Sequence, residues 1–225
     1  GFLRYLAKHG RAMFPDLTSQ SAFNRRVRRL WGAFLLIEEA VAEQLVTPDD
    51  YEVLDGVPVP VARGARSFHP GWLCDLARCG KGGNDRYFYG VRLLLCVSAS
   101  GLACGWTLAA GNVQERWLAE MLFSARAGCP QLSGPPSART GKPLPPPSDW
   151  VGPTQSCGKA RGRPIVSDQG FAGVEWWRHW IADYGAEVVT RPAGSPRELG
   201  RWFASIRQVV ETAFTHLCDS FGLKY

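Results

Sequence analysis

Between residues 86 and 110 the chain alternates apolar side chains with a period of two, stops at a short polar turn, and alternates again. Tyr87, Tyr89, Val91, Leu93, Leu95 and Val97 share one face of the first run, Ser98-Ala99-Ser100-Gly101 makes the turn, and Leu102 to Ala110 returns. A period of two belongs to strands, and a four-residue link ending in glycine pairs two strands antiparallel. Two strands are not stable alone in water, so the pattern commits the chain to a larger sheet covered by other elements.

The remaining patterns say what those elements are. Tyr51 to Val57 reads as a strand carrying Asp55, with Pro58 and Pro60 expected to weaken regular pairing just beyond it. Asn112 followed by Glu115 resembles a cap for a helix through Trp117, Leu118, Met121 and Leu122. Ile165-Val166-Ser167-Asp168 is a compact apolar run ending in a carboxylate. A helix from Val174 to Tyr184, stopped by Gly185, a strand at Glu187 to Thr190 and a last helix from about Leu199 follow it. The last helix should bury Phe203, Ile206, Val210, Phe214 and Leu217, with Glu211 at the border of that stripe and Arg207 one turn earlier. Three antiparallel strands followed by alternating helix and strand predict an α/β fold, a mixed sheet covered by helices.

Ahead of the sheet, residues 14–45 read as helical. Thr18-Ser19-Gln20-Ser21 offers an N-cap, and Phe23, Val27, Leu30, Trp31, Phe34 and Ile37 form one apolar stripe. Arg25, Arg26, Arg28 and Arg29 flank it, and two readings stay open: a solvated face, or contacts to a nucleic-acid backbone. Nine of the sixteen prolines lie between Pro130 and Pro164, which predicts an irregular surface insertion there. The expected organisation is an N-terminal helical segment over 1–47 and a sheet domain over 48–225 that carries this insertion.

Composition narrows the function classes. Hydrophobic residues at 45% and aromatics at 12% describe a globular chain, and a net charge of +6 favours a polyanionic partner. Seven cysteines at uneven spacing, with no Cys-x-x-Cys pair, read as reduced thiols and point to the cytoplasm. His69, Cys74 and Cys79 do not complete a tetrahedral zinc set. No apolar run approaches the ~18 residues of a membrane span, so no membrane partner is expected. His9, His69, His179 and His216 lack metalloprotease spacing, and neither a Gly-x-Ser-x-Gly elbow nor a phosphate-cradling loop is present. Trp176, Trp177 and Trp180 span both sides of one short helix and read either as core or as a platform for an unpaired base.

Three carboxylates, Asp55, Asp168 and Glu211, are far apart in sequence, but this element order can bring them to one edge of the sheet. Hard carboxylate oxygens suit magnesium or manganese, and two such ions can serve an in-line displacement at phosphorus. The blocks around these acids resemble a known family. Asp55-Gly56-Val57-Pro58-Val59, Tyr89-Gly90-Val91-Arg92, Ala110-Gly111-Asn112-Val113, Ser167-Asp168-Gln169-Gly170-Phe171 and Arg207-Gln208-Val209-Val210-Glu211-Thr212-Ala213-Phe214 look like the successive blocks of the DDE transposases of bacterial insertion sequences. Phe14-Pro15 with Phe23-Asn24-Arg25-Arg26 is similar to the helical lead-in of one branch of that group.

The resemblance implies a ribonuclease H-like fold and a site in which Asp55, Asp168 and Glu211 hold two Mg2+ or Mn2+ ions. Arg207 would contact DNA phosphate or orient Glu211, and Arg92 reads equally as a phosphate contact or a surface charge. Glu115, where relatives often carry an acid, is expected to cap its helix rather than bind metal. The implied activity is DNA cleavage and strand transfer, DNA transposition with element ends and target DNA as partners, and a homodimer in the active complex. The rival expectations are a purely hydrolytic nuclease and a catalytically silent DNA-binding remnant or regulator.

Overall fold

The computed structural model describes residues 2–45, 51–62, 76–82, 87–128, 154–156 and 162–221. The expected hairpin is its centre. β3 (Tyr87–Ser98) and β4 (Ala103–Ala110) pair antiparallel, and the turn between them places Gly101 at φ 86°. β1 (Glu52–Ala62) pairs antiparallel with the other edge of β3 and parallel with β6 (Pro164–Ser167), which in turn pairs parallel with β7 (Glu187–Thr190). The sheet order is β5-β4-β3-β1-β6-β7, with β5 at Thr154–Ser156 and β2 (Arg78–Lys81) on the end of β3. The fold is therefore a mixed α/β sheet, as the element order predicts.

Helices cover both faces. α4 (Glu115–Ala127) and α5 (Val174–His179), which widens into one π turn over Trp180–Tyr184, pack against one side through Leu54, Leu94, Cys96, Leu118, Leu122, Ile165, Trp176 and Trp180. α6 (Arg197–Phe221) covers the other side through Phe203, Ile206 and Val210, against Val53, Leu95, Val97 and Val166. This double cover explains why the second half of β3 is buried on both faces and not only on the face its alternation marks.

α4 is tied to the sheet at each end by an ion pair. Arg92 on β3 holds Glu115 at 2.5 Å at its N-terminal end, and Arg126 in its last turn holds Glu52 of β1 at 2.6 Å. Glu52 is 1% exposed and also accepts the Cys96 thiol at 2.9 Å, so this second pair lies inside the core. At its middle, the fully buried Glu120 carboxylate accepts Trp180 Nε1 at 2.9 Å, His179 Nε2 at 3.0 Å and the Tyr184 hydroxyl, and so joins α4 to the π turn.

Several expectations need correction. β1 continues through both prolines, with Pro58 opposite Arg92 and Pro60 opposite Gly90, and pairing becomes irregular only between Pro60 and Ala62. The reason is local: β6 borders β1 only from Glu52 to Leu54. A proline farther along whose missing N–H faces that side interrupts no ladder among the described residues.

The lead-in is not one helix over 14–45. It forms α2 (Gln20–Arg29) and α3 (Trp31–Leu45), with Ser19 capping α2 through its side chain, and a separate α1 (Phe2–His9) precedes it. Nor is its apolar stripe core, because Leu30, Phe34 and Ile37 are 46%, 46% and 58% exposed. Within the proline-rich stretch, Thr154–Ser156 forms β5, an edge strand on β4, where irregular chain was expected. The remainder of that insertion up to residue 161, together with His69, Cys74 and the break at 47–50, lies outside the described residues. No described helix is long and apolar enough to cross a membrane.

Candidate functional site

The register of two parallel strands brings the first two carboxylates together. Leu54 of β1 stands opposite Ser167 of β6, so Asp55 and Asp168 each follow one residue later on neighbouring strands. Adjacent strands lie about 4.8 Å apart. Alternation turns both aspartates toward the α6 side, since Val53 and Val166, two residues earlier, pack into the core beneath that helix.

Each aspartate is oriented by a local backbone donor. Asp55 Oδ1 accepts the Gly56 N–H at 2.8 Å, and Asp168 Oδ1 accepts the Gly170 N–H at 2.8 Å as the N-cap of the short 3-10 turn Gln169–Phe171. From α6, Arg207 donates through Nη2 to Asp55 Oδ2 at 2.8 Å. Phe203, Ile206 and Val210 are buried on the same helix, and this spacing turns Arg207 to the sheet.

Glu115 is the residue that sequence reasoning missed. α4 is capped instead by the backbone of Gln114, with no side-chain cap bond, and Glu115 reaches into the site from the other face of the sheet. A Cβ on Gly56 would lie 3.1 Å from Glu115 Oε1, and one on Gly170 would lie 3.0 Å from Glu115 Oε2 and 2.9 Å from Asp168 Oδ1. The Glu115 carboxylate thus fills the space left by the missing side chains of the two glycines that follow the aspartates. The signal was present in the sequence as an acid in the first turn of the helix after the hairpin, with glycines at 56 and 170. Only the tertiary packing shows that the three features meet.

The electrostatics follow from this crowding. Burial raises the Asp55 pKa, Arg207 and the Gly56 N–H oppose the rise, and Asp168 adds to it. Burial also raises the Glu115 pKa, against the pull of Arg92, with Asp168 and Asp55 adding to the rise. Burial works against the Arg207 guanidinium, but Asp55 outweighs it, helped by Asp168 and Glu211, so that its pKa is raised.

The other candidates lie less centrally. Glu211 is exposed one turn beyond Arg207 on α6. Arg92 is engaged through both terminal nitrogens, Nη1 on Glu115 and Nη2 on the Lys81 carbonyl at 2.7 Å, so it is pinned inside the site rather than being a surface charge. Arg25, Arg26, Arg28 and Arg29 are exposed on α2, which packs on α3.

The donor set, carboxylate oxygens held by backbone amides and lacking thiolate or imidazole, fits a hard divalent ion such as Mg2+ or Mn2+. As they stand, however, no three Asp, Glu, His or Cys side chains among the described residues converge closely enough to share one ion. Two of the carboxylates are instead neutralised by guanidinium groups. No family model matches the chain, and no curated protein or solved structure does.

Proposed function

We propose that this chain is a metal-dependent phosphoryl-transfer enzyme acting on DNA, of the DDE transposase type, on a ribonuclease H-like fold. The observation that carries the reading is the placement of Asp55 and Asp168 one residue beyond the last β1–β6 pair, Leu54 opposite Ser167, as two half-buried aspartates with a third carboxylate, Glu115, beside Asp168. The sheet order supports it too, with three antiparallel strands continued by two parallel ones and helices on both faces. A net charge of +6 and the exposed arginines of α2 suit a DNA partner. A homodimer acting on two DNA ends belongs to the same proposal, as does a cytoplasmic location.

Asp55, Asp168 and Glu115 would hold the divalent ions, and Glu211 would complete the set by the movement of one α6 side chain. Bound there, the ions would neutralise phosphate charge and lower the pKa of an attacking water or 3′ hydroxyl. The chain's own residues do the rest. Gly56 and Gly170 orient the aspartates through their N–H groups, Arg92 holds Glu115 in its cradle, and Arg207 would exchange Asp55 for a phosphate oxygen, to which its planar fork is suited.

The test is cleavage of supercoiled plasmid by the full chain with Mg2+ or Mn2+. Nicking that disappears in Asp168→Asn and Asp55→Asn is the expected result, and joining of a 3′ end to a second DNA separates a transposase from a hydrolytic nuclease. One observation favours a second reading, DNA binding without chemistry: the guanidinium groups already seated on Asp55 and Glu115. Tight DNA binding with no cleavage under any divalent ion would establish that reading in place of the first.

A further inference from the structure

Of the three clustered tryptophans, two are core and one is not. Trp176 and Trp180 are 6% and 0% exposed, while Trp177 is 44% exposed. The exposed indole borders a cleft of about 430 Å³, together with Gly173, Val174, Arg178, Val189 and Thr190. That volume falls in the ~300–1,000 Å³ range of clefts that take small organic groups.

Its location ties it to the paired aspartates. The cleft runs along the edge strand β7, through Val188, Val189 and Thr190, and beside the segment that follows β6. The segment that leaves β6 carries Asp168 first and then, through Gln169, Gly170 and Phe171, forms the cleft wall. Arg116 stands between the two: its Nε donates to the Gly170 carbonyl at 2.9 Å, and its guanidinium lies 3.7 Å from where a Cβ on Gly173 would be. On the other side of Gly170, a second depression is bordered by Lys81, Arg92 and Arg116, with Glu115 on its wall paired to Arg92. A basic path therefore runs past the carboxylates and ends at an apolar cleft with one aromatic wall, and no Asp or Glu lines that cleft.

A polyanion carrying flat aromatic groups matches this arrangement, because an indole face takes any base and guanidinium groups take the phosphates beside it. We infer that the Trp177 cleft receives an unstacked nucleobase of the DNA strand whose backbone passes Asp55 and Asp168, with Arg116 and Arg178 on the adjoining phosphates. The inference rests on the nucleic-acid reading above and adds a base subsite to it.

The experiment uses the full chain and a single-stranded oligodeoxynucleotide carrying 2-aminopurine, whose fluorescence is quenched on stacking. The parent chain is expected to bind the strand and quench the probe. Trp177→Ala should bind about tenfold or more weakly and lose the quench, and Trp177→Phe should restore most of both. Arg178→Gln should weaken binding and flatten its salt dependence while the quench on the bound fraction persists. Because nearly half of Trp177 is exposed, Trp177→Ala should stay folded and melt close to the parent, which separates lost binding from lost fold. Unchanged affinity and quench in Trp177→Ala would overturn the subsite alone. A parent chain that binds no strand would overturn both the subsite and the nucleic-acid reading.

Discussion

Replacing Glu120 by leucine should be among the most damaging single changes in this molecule, although the side chain is remote from the carboxylate site. The carboxylate is fully buried and accepts three donors from one short segment, Trp180 Nε1 at 2.9 Å, His179 Nε2 at 3.0 Å and the Tyr184 hydroxyl. Leucine fills similar volume but accepts nothing, so these donors are left inside the protein without their partner. Each buried unsatisfied group costs about 1–3 kcal/mol, and breaking a buried charged pair costs about 3–5 kcal/mol in total. Because His179 keeps Asp183 at 2.7 Å and Tyr184 lies at the edge of the core, about 3–5 kcal/mol is the expected loss. That is a large share of the ~5–15 kcal/mol that holds a typical domain together.

Urea unfolding measures it, with a lower midpoint at unchanged slope in Glu120→Leu and a smaller loss in Glu120→Gln, which keeps one acceptor oxygen. The variant also tests the pH dependence. Burial opposes the His179 imidazolium, but Glu120 and Asp183 outweigh it and raise its pKa above the ordinary 6.5. A raised folded pKa contributes stability that is complete below the unfolded value and is lost as pH climbs through the folded one. The parent should therefore weaken as pH rises above 6.5, and Glu120→Leu should show less of that slope. A loss under about 1 kcal/mol in Glu120→Leu, with the slope intact, would refute the reasoning that these donors depend on one carboxylate.

Gly170→Ala would put a Cβ 2.9 Å from Asp168 Oδ1 and 3.0 Å from Glu115 Oε2. Both carboxylates must move, so divalent-ion affinity measured by calorimetry should fall at least about tenfold while thermal stability drops by only about 1–2 kcal/mol. The raised pKa of Asp55 means that its ionised form costs folding stability, a contribution favourable below its unfolded pKa and lost as pH rises through the folded one. Asp55→Asn should accordingly melt no lower than the parent at neutral pH while metal uptake disappears, a pairing that differential scanning and calorimetry can check together. Arg126→Leu strands Glu52, 1% exposed, in the core and should cost about 3–5 kcal/mol in urea unfolding; a loss below about 1 kcal/mol would show that the Cys96 thiol and Arg163 suffice for it.

What could be read from the sequence was whatever local periodicity records. The β3–β4 hairpin, the strand ending at Ser167, the strand at Glu187–Thr190 and the stripe Phe203, Ile206, Val210 all carry their own signal, and together they give a mixed sheet covered by helices. The short strands did not carry one. β2 and β5, of four and three residues, exist because β3 and β4 offer edges, a nonlocal fact. The helical stripe from Leu30 to Ile37 has the period of a buried face yet lies exposed, since period marks a helix without saying what covers it.

At the site, element order allowed Asp55, Asp168 and Glu211 to meet at one sheet edge; the β1–β6 register sets the two aspartates one residue beyond Leu54 and Ser167, while Glu211 stands exposed on α6. Glu115 was misread because a first-turn glutamate is an ordinary capping residue, and its true setting depends on two glycines on other strands and loops. For Arg92, alternation gives the face of the strand but not the Lys81 carbonyl and Glu115 that pin it.

The central claim is that Asp55 and Asp168 form a metal site, and the most direct measurement is anomalous diffraction from crystals soaked in Mn2+. The account predicts a manganese peak between the two aspartates, with Glu115 or Glu211 within coordination distance and the Arg207 guanidinium no longer on Asp55 Oδ2. Full-strength crystals with no manganese there, and Arg207 still seated on Asp55, would contradict it.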